Sequence, residues 1–498
     1  MGEAQGWFFE PSFNGAVKVR TTDERLTSDA GLLVLREADH RLGLTESLAA
    51  QMTDPRDAGK IRYQLVELLR ERLYGLALGY KTQDDLDSLA HDPAMKMAAW
   101  DRPGDRVLEE RLASQPTQSR LLSIVAAKSN REVLRGNLAE LCQRHLRATG
   151  GDQAARRVTL DVDSFPMEAH GDQAGAAYNG YYHCKMFHPL VVSYSVNGDY
   201  DSPMNGGRLG NGFVHAVLRR GNCHTADGAL RTIRTAVART RSLGYRVDVR
   251  IDAGFTSGQI MDGLTDDGTR FLGRLKSNPV LDELALPHLK RPVGRPPKEG
   301  YETVIELGWH RAGSWRHAQR LLLVVIDDPD PKTGQLQFEP DYFFLVTNQS
   351  AEELPGEAGL AHYRPRGTFE DRLGEFNATV RPQLSSSDFA ENEAMLLLSL
   401  WSFNLLSLLR CELEDAVGGC WDLGRFQKQV LKAGGRVVKH SRRLCVDLAR
   451  VVGEAWERLL QRIAGWRLPE RWPAPRGPAR RAWIAPPPHA LQREVLRL

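Results

Sequence analysis

A chain of 498 residues is too long for one hydrophobic core, so the length predicts two to four domains. Hydrophobic residues make up 42% of the chain and charged residues 26%, which is an ordinary profile for a soluble protein. The net charge is only +3, so a nucleic-acid surface would have to come from local clusters of basic residues. No apolar run approaches the roughly twenty residues of a membrane span, and no signal peptide is recognisable. We therefore expect a cytoplasmic protein that does not enter a membrane.

The six cysteines are scattered along the chain without the spacing of a disulfide framework or a zinc site, as expected in a reducing cytosol. Two pairs, Cys223-His224 and His183-Cys184, have metal-ligating side chains. Neither pair is a CxxC motif, so the sequence does not favour a metal site there.

Residues 1–150 predict a helical N-terminal DNA-binding domain. An amphipathic helix is expected from Ile61 to Leu78, ended by Gly79, and another from Leu121 to Leu146. The second helix carries several arginines: Arg131, Arg135, Arg144 and Arg147. These arginines are consistent with a DNA-facing surface or with an ordinary solvated helix face.

The pattern changes at Arg157, where a strand from Val158 to Ser164 ends in acidic residues. Further predicted elements are strands at 189–196 and 212–218, a helix over 226–243 and a strand at 246–251 that ends at Asp252. An acid thus stands at the end of the first and of the fourth strand. Ligand and catalytic residues of α/β sheets gather at such strand ends.

A β-rich insertion is expected at residues 266–350, between the strand that ends at Asp252 and the next motif. Its predicted strands are 301–307, 320–326 and 342–346. The insertion contains the basic run KRPVGRPPK, with Arg295 and Lys298. This run suits either a DNA minor-groove contact or a Pro-rich linker.

The stretch from Tyr363 to Val380 carries two stripes at helical spacing. The apolar stripe consists of Phe369, Leu373, Phe376 and Val380, and the neighbouring stripe of Arg366, Glu370, Gly374 and Asn377. Pro365 suits a first turn, and Thr368 with Asp371 predicts a capping box. A Tyr and an Arg near a helix N-terminus suit phosphate binding, although an amphipathic surface helix has the same pattern.

The rest of the chain predicts a long apolar helix and a basic tail. The helix is expected from Phe389 to Leu409, covering one face of the sheet. Basic residues follow from Lys428 to Arg443, and the last thirty residues are rich in Pro and Arg.

Three acids, Asp163, Asp252 and Glu370, come from two strand ends and a helix. If they converge, their mutual repulsion requires cations, and three carboxylates can hold two Mg²⁺ ions. Oxygen ligands without His or Cys favour Mg²⁺ or Mn²⁺ over zinc. Asp161 lies on the same strand face as Asp163 and is the alternative first ligand.

Several of these motifs resemble DDE transposases of bacterial insertion sequences, and within them the 1380 family, related to the insertion-sequence-4 group. The resemblance rests on Asp163-Ser164, Ile251-Asp252 and the Tyr363-x2-Arg366-x3-Glu370 signature. It also rests on the longer stretches TTDERLTSDAGLLVLREADHRLGL, LALGYKTQDDLDSLAHDPAMK, LASQPTQSR, DVDSFPMEAHGDQAGAAYNGYYHCKMFHPLVVSY and LRRGNCHTADGA. It extends over nearly the whole chain to about residue 440.

The resemblance implies an RNase H-like catalytic core, a mixed sheet flanked by helices, at residues 151–265 and 351–440, interrupted by the β insertion. A basic C-terminal helix and tail would occupy 441–498. The implied activity is cut-and-paste transposition of double-stranded DNA by a homodimer or higher oligomer in the bacterial cytoplasm, at the nucleoid. Asp163, Asp252 and Glu370 would be the metal-binding triad, and Tyr363 and Arg366 would hold a phosphate.

One residue departs from the pattern of these transposases. Their signature ends in a lysine seven residues after the glutamate, where this chain has Asn377. Lys185 or another basic residue would have to compensate for the lost phosphate contact; otherwise the protein is weakened or inactive. The rival functions are an RNase H-like nuclease without strand transfer and an inactive DNA-binding descendant. Trp309 and Trp315 are candidates for stacking on a flipped base, or simply packing residues.

Overall fold

An eight-stranded mixed sheet flanked by helices is the central feature of the protein. The computed structural model describes residues 9–19, 21–102, 104–149, 157–197, 212–291, 300–329, 339–419, 421–440 and 443–466. Residues 1–468 form one compact unit, and all the described residues belong to it. The finer division into domains that the sequence suggests stays a prediction.

A short strand and a series of helices form the N-terminal part of the chain. They are β1 (Arg25–Thr27), α1 (Leu32–Leu42), α2 (Leu44–Gln51), α3 (Leu65–Ala77), α4 (Gln83–Ser88), α5 (Pro93–Ala99), α6 (Gln115–Val125) and α7 (Lys128–Thr149). Helix α3 begins at Leu65 rather than Ile61 because the Glu67 carboxylate accepts the backbone N–H of Gln64 at 2.8 Å, which caps the helix there. The helix predicted from Leu121 to Leu146 is divided between α6 and α7.

The next part of the chain contains the strands that end at the two aspartates. Its elements are β2 (Arg157–Ser164), β3 (Met167–Glu168), β4 (Ala177–Asn179), β5 (Cys184–Phe187), β6 (Leu190–Asn197), β7 (Gly212–Val217), α8 (Ala229–Ser242), β8 (Arg246–Ile251), α9 (Gly258–Asp266) and β9 (Arg270–Leu275). The sheet order here is β7-β6-β2-β8-β9, with β2, β8 and β9 parallel and β6 and β7 antiparallel to their neighbours. Strands β3, β5 and β4 form a separate small sheet that the sequence reading did not anticipate.

The strands predicted as an insertion continue the central sheet. This segment contains α10 (Pro279–Ala285), β10 (Tyr301–His310), β11 (Gln319–Asp327) and β12 (Asp341–Thr347). Strand β12 pairs antiparallel with β9, and the order runs on through β11 to β10 at the edge. The three predicted strands are confirmed, each extended by one to three residues.

Helices and a second small sheet complete the chain. These elements are α11 (Gly356–Tyr363), α12 (Thr368–Thr379), α13 (Phe389–Val417), α14 (Leu423–Phe426), β13 (Gly435–His440), β14 (Arg443–Leu448) and α15 (Arg450–Ala464). The predicted basic tail is partly strand, because β13 pairs with both β14 and β1. The residues after Trp466 lie outside the described part.

The long apolar helix α13 is a core element. In length and composition it would suffice to cross a membrane, and it is the single helix of that kind in the described part of the chain. Its most apolar window is 94% buried inside the protein, as expected of a core helix. Trp401, Phe403 and Leu406 are fully buried.

The arginines of α7 mostly point into the protein rather than toward a DNA surface. Arg135 and Arg144 are only 7% and 5% exposed. Arg131 and Arg135 both pair with Glu393 of α13, at 3.0 and 2.6 Å. The expectation of a DNA-facing surface is therefore wrong for these three arginines.

Protonation of one buried histidine gives a testable pH dependence. Burial, followed by the nearby charges of Arg239 and Arg135, lowers the pKa of His215 in β7 from 6.5 to about 3. The unfolded chain binds this proton near pH 6.5 and the folded chain does not, so the free energy of unfolding falls as pH drops from 6.5 toward 3.

We expect lowering the pH from 7.5 to 5.5 to cost about 1.4 kcal/mol of the free energy of unfolding through His215. The variant His215→Gln, which keeps an acceptor for the 2.9 Å bond from Arg239, should lack this contribution of about 1.4 kcal/mol to the pH dependence. Urea unfolding at the two pH values measures it. An unchanged pH dependence in the variant would contradict the assignment.

Candidate active site

Three separate elements bring the predicted acids to one edge of the sheet. Asp163 is the penultimate residue of β2, and Asp252 directly follows β8. Strands β2 and β8 are parallel neighbours, so their carboxyl ends lie at the same edge. Glu370 is in the first turn of α12.

All three carboxylates contact the guanidinium of Arg366. Its Nη2 lies 2.8 Å from Asp163 Oδ2 and 3.5 Å from Asp252 Oδ2, and its Nη1 lies 3.1 Å from Glu370 Oε1. The Arg366 side chain is 8% exposed, whereas the side chains of Asp252 and Glu370 are 36% and 71% exposed. The acids therefore surround a buried cation while two of them remain open to solvent.

Helix α12 is fixed above the sheet by apolar and polar contacts. Phe369 and Phe376 are fully buried, as the apolar stripe predicted. On the side toward β6, the buried Arg372 donates to the hydroxyls of Ser193 and Ser195, both at 2.8 Å. These contacts set the position of Glu370 relative to the strands.

Helix α12 begins at Thr368, within the predicted start between Pro365 and Thr368. Tyr363 ends α11, and a 3₁₀ turn over Arg364–Gly367 leads directly into α12. The predicted capping box is wrong, since the Thr368 hydroxyl donates to the carbonyl of Pro365 at 2.7 Å instead of capping the helix.

Asp161 has a different environment from Asp163. Arg250 of β8 binds it through two hydrogen bonds, from Nε to Oδ1 at 2.8 Å and from Nη2 to Oδ2 at 2.7 Å. Arg250 also donates to the His362 carbonyl of α11 at 2.7 Å. Both aspartate oxygens are thus used in a buried ion pair, which ties α11 to the sheet.

Burial and neighbouring charges shape the ionisation of the site. Burial raises the pKa of Asp163 above its ordinary value, and the nearby Asp252 adds to this, while Arg366 opposes it. Burial alone would lower the pKa of Arg366, but Asp163 and Asp252 outweigh it, so that this pKa is raised. Arg366 is therefore a permanent cation among the acids.

Two tyrosines lie within the electrostatic influence of the acids. Burial raises the pKa of Tyr363 to about 12, with Arg366 opposing and Asp252 adding to the shift. Burial also raises the pKa of Tyr182, with Asp163 contributing. Both phenols keep their protons at neutral pH and can donate hydrogen bonds.

The side chains at this edge of the sheet decide which metal ion could bind there. Within the described ranges, no three His, Cys, Asp or Glu side chains are arranged to hold a metal ion, and Arg366 lies at the point on which the acids converge. The donors at this point are carboxylate oxygens alone, a set that fits Mg²⁺ or Mn²⁺. The three acids could hold such an ion once the Arg366 guanidinium has moved away from them.

The other predicted DNA-binding residues lie in several places. Lys185, on β5, pairs with Asp172 at 3.0 Å. Asn377 accepts a hydrogen bond from Arg381 at 3.5 Å. Arg295 and Lys298 lie outside the described residues.

The two tryptophans of the segment β10–β11 differ in exposure. Trp309 is 56% exposed on the edge strand β10. Trp315 packs against the start of α9, where a Cβ on Gly258 would come within 2.9 Å of its ring. Packing therefore accounts for Trp315.

The sequence reading missed Arg250, Arg381 and Tyr182 as parts of this region. A signal existed for Arg250, because it is a charged residue in an otherwise apolar strand end, Val249–Ile251, beside a strand with an equally isolated Asp161. For Arg381 and Tyr182 the local sequence carries no comparable signal.

The free energy of unfolding of two variants tests whether Asp161 has a structural role that Asp252 lacks. Asp161→Asn leaves Arg250 without its buried counter-charge, so we expect a loss of about 3–5 kcal/mol in the free energy of unfolding. Asp252→Asn, at the solvent-accessible edge, should change it by less than about 1 kcal/mol. Urea denaturation measures both, and equal effects would contradict the structural role of Asp161.

The chain is similar over nearly its whole length to a known family. The family model described as "Transposase DDE domain group 1" matches residues 9–466. No curated protein matches the chain significantly. Among solved structures, a cryo-EM structure of the piggyBac transposase synaptic complex with hairpin DNA is similar with a TM-score of 0.40 and 12% identity, covering 82% of each chain. Because the family model spans most of its residues, the chain belongs to the DDE transposases of domain group 1.

Proposed function

We propose that the protein is a cut-and-paste DNA transposase of the 1380 family of bacterial insertion sequences. It would bind terminal inverted repeats, hydrolyse phosphodiester bonds and transfer the 3′-OH ends to target DNA. The observation that carries this proposal is the convergence of Asp163, Asp252 and Glu370 on one guanidinium. Carboxylates that converge in this way can bind the metal ions of metal-assisted phosphoryl transfer.

The strand arrangement supports an RNase H-like core for this chemistry. Three antiparallel strands, β2, β6 and β7, are followed by α8 and by the parallel strands β8 and β9. Acids stand at the ends of the first and fourth strands of this series. The strands β10–β12 then correspond to the proposed insertion.

Asp163, Asp252 and Glu370 are the residues that would hold Mg²⁺, with Mn²⁺ as a substitute. Such ions, when bound, activate a water or a 3′-hydroxyl and stabilise the leaving oxygen at phosphorus. Asp163 is favoured over Asp161, because Arg250 already binds both oxygens of Asp161.

Arg366 has two tasks in this proposal. Before DNA binds, it reduces the mutual repulsion of the three acids. When DNA binds, its fork of N–H donors suits a phosphate group, and the buried Nε has no hydrogen-bond partner in the described part of the chain. Tyr363, protonated at neutral pH, would donate to the same phosphate.

Arg381 supplies the cation that the asparagine at position 377 lacks. Its guanidinium contacts Asn377 at 3.5 Å and the carbonyl of Pro166, two residues after β2, at 3.4 Å. Burial lowers the pKa of the neighbouring Lys81, and Arg381 adds to this shift, so two cations lie close together here. This pair supports an active enzyme over an inactive descendant.

The partners that follow are double-stranded transposon ends and target DNA, in the cytoplasm at the nucleoid. Two ends must be paired for transposition, so we propose a homodimer or higher oligomer on DNA.

Cleavage of DNA carrying the element's own ends tests the proposed chemistry. We expect Asp252→Asn to abolish Mg²⁺-dependent cutting, because the variant loses an anionic oxygen ligand. The matched control is Asp267→Asn, which removes an acid that pairs with Arg234 on the surface, and should cut normally. Equal cutting by wild type and Asp252→Asn would overturn the mechanism. Cut ends that never join to target DNA would favour a nuclease.

The role of Arg381 has its own test. Arg381→Gln should weaken binding of the end duplex about five- to tenfold, since a phosphate-contacting charge is lost. Adding Asn377→Lys to that variant should recover most of the affinity. Fluorescence anisotropy measures both, and an Arg381→Gln protein with wild-type affinity would refute the assignment.

A further inference from the structure

A basic cavity lies in the N-terminal part of the chain, away from the segments that carry the acids. It has a volume of about 570 Å³ and lies between the segment 56–63, the residues before α6 and the first turns of α6. Its charged lining residues are Arg56, Asp57, Lys60, Arg62, Arg111 and Arg120. We call these residues the basic groove. Five cations face a single acid in it.

Four of the five cations are exposed to solvent. The exposed fractions of the side chains are 85% for Lys60, 66% for Arg62 and 53% for Arg111, and Arg120 is exposed as well. Solvent-accessible cations on a concave surface can reach an anionic partner without any rearrangement of the fold.

Carboxylates hold these cations only loosely. The N–O distances are 3.5 Å from Lys60 to Asp57, 3.6 Å from Arg62 to Glu110 and 3.9 Å from Arg111 to Asp87. Arg120 has no carboxylate within 4.0 Å in the described part of the chain; it donates to the Thr117 hydroxyl at 3.2 Å. Exposed pairs of this length contribute little to stability, so phosphate oxygens can replace the carboxylates.

The walls of the basic groove are nevertheless fixed. Arg56 binds Asp54 at 2.7 Å and donates to the Tyr63 carbonyl at 3.0 Å. The Tyr63 hydroxyl donates to the Arg111 carbonyl at 2.9 Å, and its ring stacks on Trp100 at 6.1 Å. The two sides are therefore joined by hydrogen bonds, and the exposed cations project from a rigid base.

The arginines of α7 differ from the cations of the basic groove in their exposure and pairing. Arg131 and Arg135 are paired tightly with Glu393 inside the protein and are not available to a ligand. Four exposed cations of this helical region, Lys60, Arg62, Arg111 and Arg120, line the basic groove instead. The N-terminus of α6, with Ser114 and Thr117, faces the same cavity and adds a positive helix end.

We propose that the basic groove binds the backbone phosphates of double-stranded DNA, holding the duplex without reading its bases. This inference rests on the proposed function, since it assigns a second contact surface to the same DNA substrate. The groove presents arginines and a lysine without an aromatic or amide side chain exposed for base recognition, a composition suited to phosphate contacts.

The test measures DNA binding by the full-length protein at several salt concentrations. The variant Lys60→Gln/Arg120→Gln removes two exposed cations that take no part in the hydrogen bonds joining the two walls. Each phosphate contact contributes about 0.9 to the slope of log affinity against log salt, so the slope should fall by about 2 and affinity about tenfold. A duplex of scrambled sequence should show the same loss as the element's own end.

The control variant Arg316→Gln removes an arginine that is 66% exposed beside α9 and should leave both quantities unchanged. A second pair, Arg62→Gln/Arg111→Gln, repeats the test, with thermal melting to show that each variant is folded. If both pairs bind with the wild-type affinity and slope, the basic groove is not a DNA site. A polyglutamate peptide that binds the wild type as tightly as the duplex would likewise overturn it. A wild type that binds no DNA would instead refute the proposed function itself.

Discussion

The site depends on one interaction, in which three carboxylates share the buried guanidinium of Arg366. Asp163, Asp252 and Glu370 would repel one another at the edge of the sheet if no cation lay between them. Arg366 supplies that cation from the turn before α12, so the helix that contributes the third acid also brings the charge that stabilises all three. The site is therefore assembled with one positive charge set against three acids, and more of its negative charge becomes available when the guanidinium takes another partner.

Polar contacts of buried arginines also fix the elements around this cluster. Arg250 joins Asp161 on the sheet to the His362 carbonyl of α11, and Arg372 joins α12 to two serines of β6. Hydrogen bonds have directions and fixed lengths, whereas apolar packing tolerates small shifts. Both faces of the sheet are also packed with apolar side chains, one against α12 and α13 and the other against α8 and α9.

The sequence alone was sufficient to predict the elements that have a strong local pattern. Strand β8 was predicted with its observed ends, and the apolar stripe of α12 is buried as expected. The contact of Arg366 with the acids was not predictable, because it depends on residues 203 positions apart meeting in space. Two local features were also not predicted: the helix start at Leu65 and the break between α6 and α7. Here the cause is local rather than distant, because single hydrogen bonds decide where a helix is capped or interrupted.

The separation of 203 residues between Asp163 and Arg366 has a consequence for how the protein is made. Closing so long a loop is entropically unfavourable until the intervening strands have paired, so the cluster forms late in folding. A nascent chain still on the ribosome lacks Glu370 until most of the polypeptide has been synthesised. Truncated translation products that end before Glu370 therefore cannot assemble the cluster of three acids.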